Sequence, residues 1–174
     1  MSGARIGTTI GIVVFLIVGA TALVWLHSAG RGPRALHLTD GTEVFFRGDT
    51  RIVAAETDPR SREVRVNGDA FFRTPEAPTS LVVRTRLLVL TITGASAFRV
   101  TAYTKQSGEQ VDVLYGRVEA SKAYPSVHRD PEILSGGEFT MINDSVDLME
   151  KERFDPAELR RWSEELMASA GGHR

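Results

Sequence analysis

The side chains able to do chemistry are scattered through this 174-residue chain rather than gathered at a working spacing. Its histidines, His27, His37, His128 and His173, include no i, i+4 pair and have no carboxylates at ligand spacing, so no metal site is expected. Cysteine is absent, which excludes thiolate zinc sites, cysteine nucleophiles and disulfide frameworks. Gly94-Ala95-Ser96-Ala97-Phe98 approaches a Gly-x-Ser-x-Gly nucleophile elbow, but the last glycine is missing and no helical pattern follows. Ser96 is instead expected at a strand end. Arg47-Gly48-Asp49 and Asn143-Asp144-Ser145 read as turns, and no glycine-rich loop leads into Lys-Ser/Thr. The expectation is no catalytic, metal-binding or cofactor-binding residue, and no enzyme.

Charge points the same way. Lys and Arg total 21 against 22 for Asp and Glu, so no basic excess exists to hold a nucleic-acid backbone. The distribution is uneven: residues 31–100 carry 11 basic and 8 acidic side chains, whereas Glu138 to Glu165 carries 4 and 9. Apolar residues at 42% and charged ones at 25% are ordinary for a folded domain.

The elements that must position any site begin with an apolar run. Ile6 to Leu26 is 21 residues without charge or proline, and roughly 20 apolar residues cross a bilayer core as a helix. A transmembrane helix over 6–26 is expected, after a cytoplasmic tail of residues 1–5 and before a linker over 27–35. A cleaved signal peptide is the competing reading; the run is long for one, and His27 would occupy the −3 position of the cleavage site before Gly30. The short tail favours N-terminus in and domain out, with Trp25 at the interface.

Beyond the anchor the period is that of strands. Arg62-Glu63-Val64-Arg65-Val66, Val111-Asp112-Val113-Leu114 and Arg117-Val118-Glu119-Ala120 alternate polar and apolar residues, as half-buried strands do. Leu81-Val82-Val83-Arg84-Thr85 and Leu87 to Thr93 are more continuously apolar and are expected to be buried on both faces. Turns are expected at Asp40-Gly41, Gly48-Asp49, Asn67-Gly68, Tyr115-Gly116 and Gly136-Gly137. Strands this short between turns this frequent predict a mainly β domain over 36–150. No helical pattern interrupts 36–142, which disfavours a βαβ enzyme core.

The period changes once more near the end. Asp155 as N-cap, Pro156 at the first helical position and Glu158 in the first turn open a helix, with Phe154 placed to staple onto Leu159. A helix is expected over 151–168, with 169–174 frayed. Leu159, Trp162 and Leu166 form one apolar stripe that faces the domain or a protein partner, and Trp is a favoured interface anchor.

The order of these pieces resembles the FecR domain, the periplasmic part of transmembrane anti-sigma regulators. Leu38-Thr39-Asp40-Gly41-Thr42-Glu43-Val44 is similar to the family's opening Leu-x-Asp-Gly-Ser/Thr-x-Val. Arg62 to Phe72 resembles Arg-x-Val-x-Leu-x-Gly-Glu-Ala-x-Phe, with Asp69 in the glutamate place. Ser80 to Thr85, after Pro78, resembles Pro-Phe-x-Val-x-Thr. Ala95 to Val100 follows Gly-Thr-x-Phe-x-Val, with Ala95 and Ser96 in the first two places. Val111 to Val118 resembles Val-x-Val-x-x-Gly-x-Val, Leu134 to Glu138 the closing Leu-x-x-Gly-Glu, and Phe154 to Trp162 the Asp-Pro…Trp connector helix. The likeness covers about residues 36–166 in one collinear order.

The resemblance implies a twisted β-solenoid-like or sandwich-like stack of short strands, an inner-membrane anchor, a periplasmic domain and a signalling role. Sensors of the family carry a cytoplasmic anti-sigma segment where this chain has five residues, and continue past the connector helix where it stops. The expected function is therefore a membrane-anchored regulatory module acting by protein–protein contacts in the periplasm or inner membrane, controlling a sigma factor through another protein. The alternative is a periplasmic ligand- or glycan-binding scaffold without signalling.

Overall fold

Turn chemistry and period-two alternation carry the chain through thirteen strands and one helix in the computed structural model, which describes residues 24–25, 32–58, 61–76, 80–128 and 130–171. The strands are β1 (Val24–Trp25), β2 (Arg34–His37), β3 (Glu43–Phe46), β4 (Arg51–Asp58), β5 (Ser61–Thr74), β6 (Ser80–Arg84) and β7 (Leu88–Ile92). They continue as β8 (Ser96–Ala102), β9 (Gly108–Tyr115), β10 (Arg117–Lys122), β11 (Glu132–Ser135), β12 (Glu138–Asn143) and β13 (Leu148–Arg153). Helix α1 (Pro156–Gly171) closes the described chain.

Two sheets form because β5, at 14 residues, is long enough to serve both. Its first half pairs antiparallel with β4 and parallel with β6, and β7, β10 and β11 extend that first sheet. Its second half pairs with β3 and β8, and the second sheet runs on through β9, β12 and β13, with β2 outside β3. The core lies between the sheets. Val64, Val83, Leu90 and Ile92 of the first meet Val44, Phe72, Phe98, Val111 and Ile142 of the second, all at most 1% exposed. Phe72 and Phe98 stack at 5.0 Å between ring centres. The mainly β expectation with a C-terminal helix therefore holds; instead of two separate stacked layers, the two halves are joined through β5 into one nearly closed, barrel-like sheet. The solenoid-like alternative gives way, because the hairpin turns reverse the chain and only β5–β6 is a parallel pair among the described strands.

Four expectations need correction. Gly68 is not in a turn but in mid-strand, where β5 passes from one sheet to the other. Its φ of 136° favours glycine, and a Cβ there would lie 2.5 Å from Thr50 Oγ1 and 2.6 Å from Thr50 Cα. Burial on both faces belongs not to β6 and β7, whose burial alternates, but to β3 and part of β5. There Phe45 and Phe71 are buried on the outer face while Phe46 and Phe72 fill the core. The cause is α1, which lies over that outer face. The helix itself starts at Pro156, after β13, and continues past Ala168 to Gly171. Finally, Val24 and Trp25, expected to end a transmembrane helix, pair as extended backbone with Ala54 and Val53 on the open edge of β4. The rest of the expected span, 6–23 and 26, lies outside the described residues. Among those described, no helix is long and apolar enough to cross a membrane.

The other predicted turns are present: Gly41 and Gly116 take positive φ, and Asp40 Oδ1 accepts the Thr42 N–H at 2.8 Å. Gly136 opens the β11–β12 turn, tight against Leu114. The crossing at Gly68 yields a direct test. Gly68→Ala must displace Thr50 backbone and is expected to cost about 3 kcal/mol, lowering the thermal midpoint by roughly 6–12 °C. Differential scanning calorimetry reads the shift.

Candidate functional site

Most of the outer face of the second sheet would meet water if α1 did not cross it. Asp155 caps the helix, its Oδ1 accepting the Ala157 N–H at 2.9 Å, and Pro156 supplies a preset first turn. The stripe Leu159, Ser163 and Leu166 is buried, and Leu166 packs with Phe45, Phe71 and Ala97. Of the three residues expected to face a partner, Leu159 and Leu166 thus face their own domain. Trp162 lies between them, half-buried. Its ring meets Phe71 edge-on at 6.3 Å, and the Arg99 guanidinium sits 4.0 Å from its centre. Phe154, expected to staple onto Leu159, meets Phe139 edge-on at 6.3 Å.

Arg99 is fixed from the sheet side as well. Its Nε and Nη2 donate to Asp69 Oδ1 and Oδ2 at 2.7 and 2.8 Å, a two-pronged ion pair. Burial works against the Arg99 charge, but the bonds and charge of Asp69 outweigh it and raise its pKa. Asp69 is itself anchored through its backbone, which exchanges two hydrogen bonds with Thr50 Oγ1 at 2.9 and 3.0 Å.

Directly opposite Arg99 in the β8–β9 register stands Asp112, 8% exposed. Its Oδ1 accepts the Gln110 amide at 2.5 Å, and among the described residues it forms no ion pair, because the Arg99 fork is spent on Asp69. Burial pushes the Asp112 carboxyl above its usual value, with the Asp69 charge adding; the Gln110 bond and the Arg99 charge oppose this. Beside it opens a cleft of about 410 Å³ whose walls include Arg99, Asp112, Phe139, Phe154, Glu158 and Trp162. The arrangement is an aromatic-walled, net acidic recess at the seam of helix and sheet.

The other sequence-flagged residues do not join it. Asp40, Gly41, Gly116 and Gly136 hold separate loops, and Gly68 holds the β5 crossing. Ser96 opens β8, where its Oγ accepts the Arg117 N–H at 3.1 Å. His37 faces Glu43 at 3.5 Å, His128 lies in the loop after β10, and His27 and His173 are outside the described residues. No group of three or more metal-ligating side chains forms among the described residues. Asp69, Arg99 and Asp112 escaped sequence reasoning because each alternates with apolar neighbours and reads as a wet strand face. The one available signal was the Trp162 stripe, which requires a sheet face to cover.

A second polar cluster is structural. Lys122, its side chain 5% exposed, donates to Asp147 Oδ1 at 2.8 Å, its carbonyl at 2.9 Å and Ser126 Oγ at 3.1 Å. The Tyr124 hydroxyl also donates to Asp147 Oδ1 at 2.8 Å. The Lys122, Ser126 and Tyr124 bonds hold the Asp147 carboxyl down at about 2, while burial and Asp147 push Tyr124 up to about 12. The cluster ties the loop after β10 to the β12–β13 turn, and it consumes the groups that a Ser–Lys pair would need for catalysis.

The fold and recess define a two-sheet β module whose C-terminal helix is strapped to one outer face. The family model described as FecR protein matches residues 26–119, more than half of the chain. The chain belongs to the FecR family. Two crystal structures of a candidate anti-sigma factor from Parabacteroides distasonis ATCC 8503, at 2.50 and 1.65 Å resolution, share the fold with a TM-score of 0.68 and 23% identity. The alignments cover 81% of this chain and 64% and 65% of those, so this chain spans less than two thirds of the proteins it resembles. No curated protein matches it.

Asp112 makes the site testable. A carboxyl whose pKa is raised on folding contributes stability below its unfolded value near 3.8, and that contribution is lost as pH rises through the folded value. Asp112→Asn is therefore expected to be more stable than the parent at pH 7, with the difference vanishing toward pH 3. Urea unfolding across that pH range measures it.

Proposed function

We propose that the chain is a regulatory FecR module, anchored in the inner membrane by the apolar residues 6–23 that precede β1, with its β domain in the periplasm. In this reading it works by protein contacts, relaying control of a sigma factor through another protein. The observation that carries the reading is the family match over residues 26–119, which covers the Arg99, Gln110 and Asp112 side of the recess, while Phe139, Phe154, Glu158 and Trp162 lie beyond it. The fold shared with the candidate anti-sigma factor supports it. The 18 uncharged, proline-free residues from 6 to 23 support the anchor, and the acidic stretch from Glu138 to Glu165 supports a basic partner surface.

Within that reading Leu159 and Leu166 hold the helix down, and Trp162 contributes its open edge to partner contact. Affinity purification of the full-length chain from detergent-solubilised membranes is expected to recover a protein partner. Removing residues 154–174 is expected to lower that recovery at least tenfold while the β domain stays folded by circular dichroism. Unchanged recovery would remove the helix and its recess from the docking surface.

A further inference from the structure

We propose that the cleft between α1 and the second sheet is the seat for an arginine side chain of the partner protein, its guanidinium held by Asp112 and Glu158 between aromatic walls. The proposal rests on the reading that the chain works through protein contacts, and it names the chemistry of the contact.

Asp112 is more than nine-tenths buried, lines the cleft, and has one amide as its hydrogen-bond partner. The nearest cation, Arg99, forks onto Asp69. Arg99 lines the cleft as well, but its fork is bound to Asp69, so counting that partner three carboxyl groups (Asp69, Asp112 and Glu158) face one guanidinium. A buried carboxyl whose one neighbouring cation is bound to another carboxylate costs stability, and such local costs are concentrated at functional sites.

The walls narrow the choice of cation. Phe139 and Phe154 stand edge to face at 72°, and Trp162 already carries one guanidinium, that of Arg99, at 4.0 Å. A planar, weakly hydrated guanidinium stacks on such rings and presents a fork that matches a carboxylate, whereas an ammonium offers a compact, strongly hydrated charge. The surrounding sequence is complementary: from Glu138 to Glu165 acidic residues outnumber basic ones by 9 to 4, a field that draws a basic segment toward the cleft.

The test uses the full-length chain with Trp25→Phe, which leaves Trp162 as its sole tryptophan. Nα-acetyl-arginine amide is titrated while Trp162 fluorescence is recorded, with Nα-acetyl-citrulline amide as the uncharged isostere. Saturation at about 1 mM is expected for the arginine compound, with at least tenfold weaker binding of the citrulline compound. Asp112→Asn is expected to lose at least tenfold in affinity without a lower unfolding midpoint, which separates lost binding from lost fold. Equal binding of the two compounds, or undiminished binding by Asp112→Asn, overturns the proposal. A flat arginine titration overturns it even where the partner still copurifies; failed copurification with an intact titration overturns the regulatory reading and leaves the pocket.

Discussion

Everything built on the second sheet depends on how β5 is pinned where it changes sheets. Gly68 lets the backbone pass within touching distance of Thr50, and Thr50 Oγ1 then bonds both the N–H and the carbonyl of Asp69. The next link is Asp69 to Arg99, and the one after that is Arg99 to Trp162 of α1. A single backbone approach thus sets the crossing of the sheets and the place where the helix is clamped. Loosening it would shift the core and the recess together.

The helix strap explains a pattern that strand rules alone would not give. A two-sheet sandwich normally buries one face of each strand and wets the other. Here Phe45, Phe71, Ala97 and Leu166 form a second apolar layer outside the second sheet. Among the described residues the outer face of the first sheet has no such cover, and Val82, Val89 and Thr91 are half-exposed. The asymmetry makes one side of the molecule chemically distinct. Its aromatic and acidic groups converge where the helix begins, and that convergence gives a family fold a specific surface.

Local chemistry was legible in the sequence; placement through space was not. Asp40-Gly41, Tyr115-Gly116 and Gly136-Gly137 announced their turns because each loop's conformation is set by its own residues. Asn67-Gly68 looked the same, yet β4 and β6 flank the first half of β5 and β3 and β8 the second, and those neighbours turned a loop signal into a strand crossing. Asp155-Pro156 announced the helix for local reasons too. Asp112 alternates with Val111 and Val113 as a solvent-facing residue would, and the groups around it, Phe139, Phe154 and α1, come from elsewhere in the sequence. The apolar strength of Leu81–Val83 and Leu88–Ile92 suggested two-sided burial, but among the described residues no element covers their second face.

The proposed meeting place of this FecR module and its partner is the helix-capped side of the second sheet. Site-specific photocrosslinking in cells reads it out, with a benzophenone amino acid placed in the full-length chain at the exposed Arg161 of α1, or at Val82 on the outer face of the first sheet. A crosslinked protein is expected from position 161 and none from 82. Adducts from 82 with none from 161 would contradict this placement.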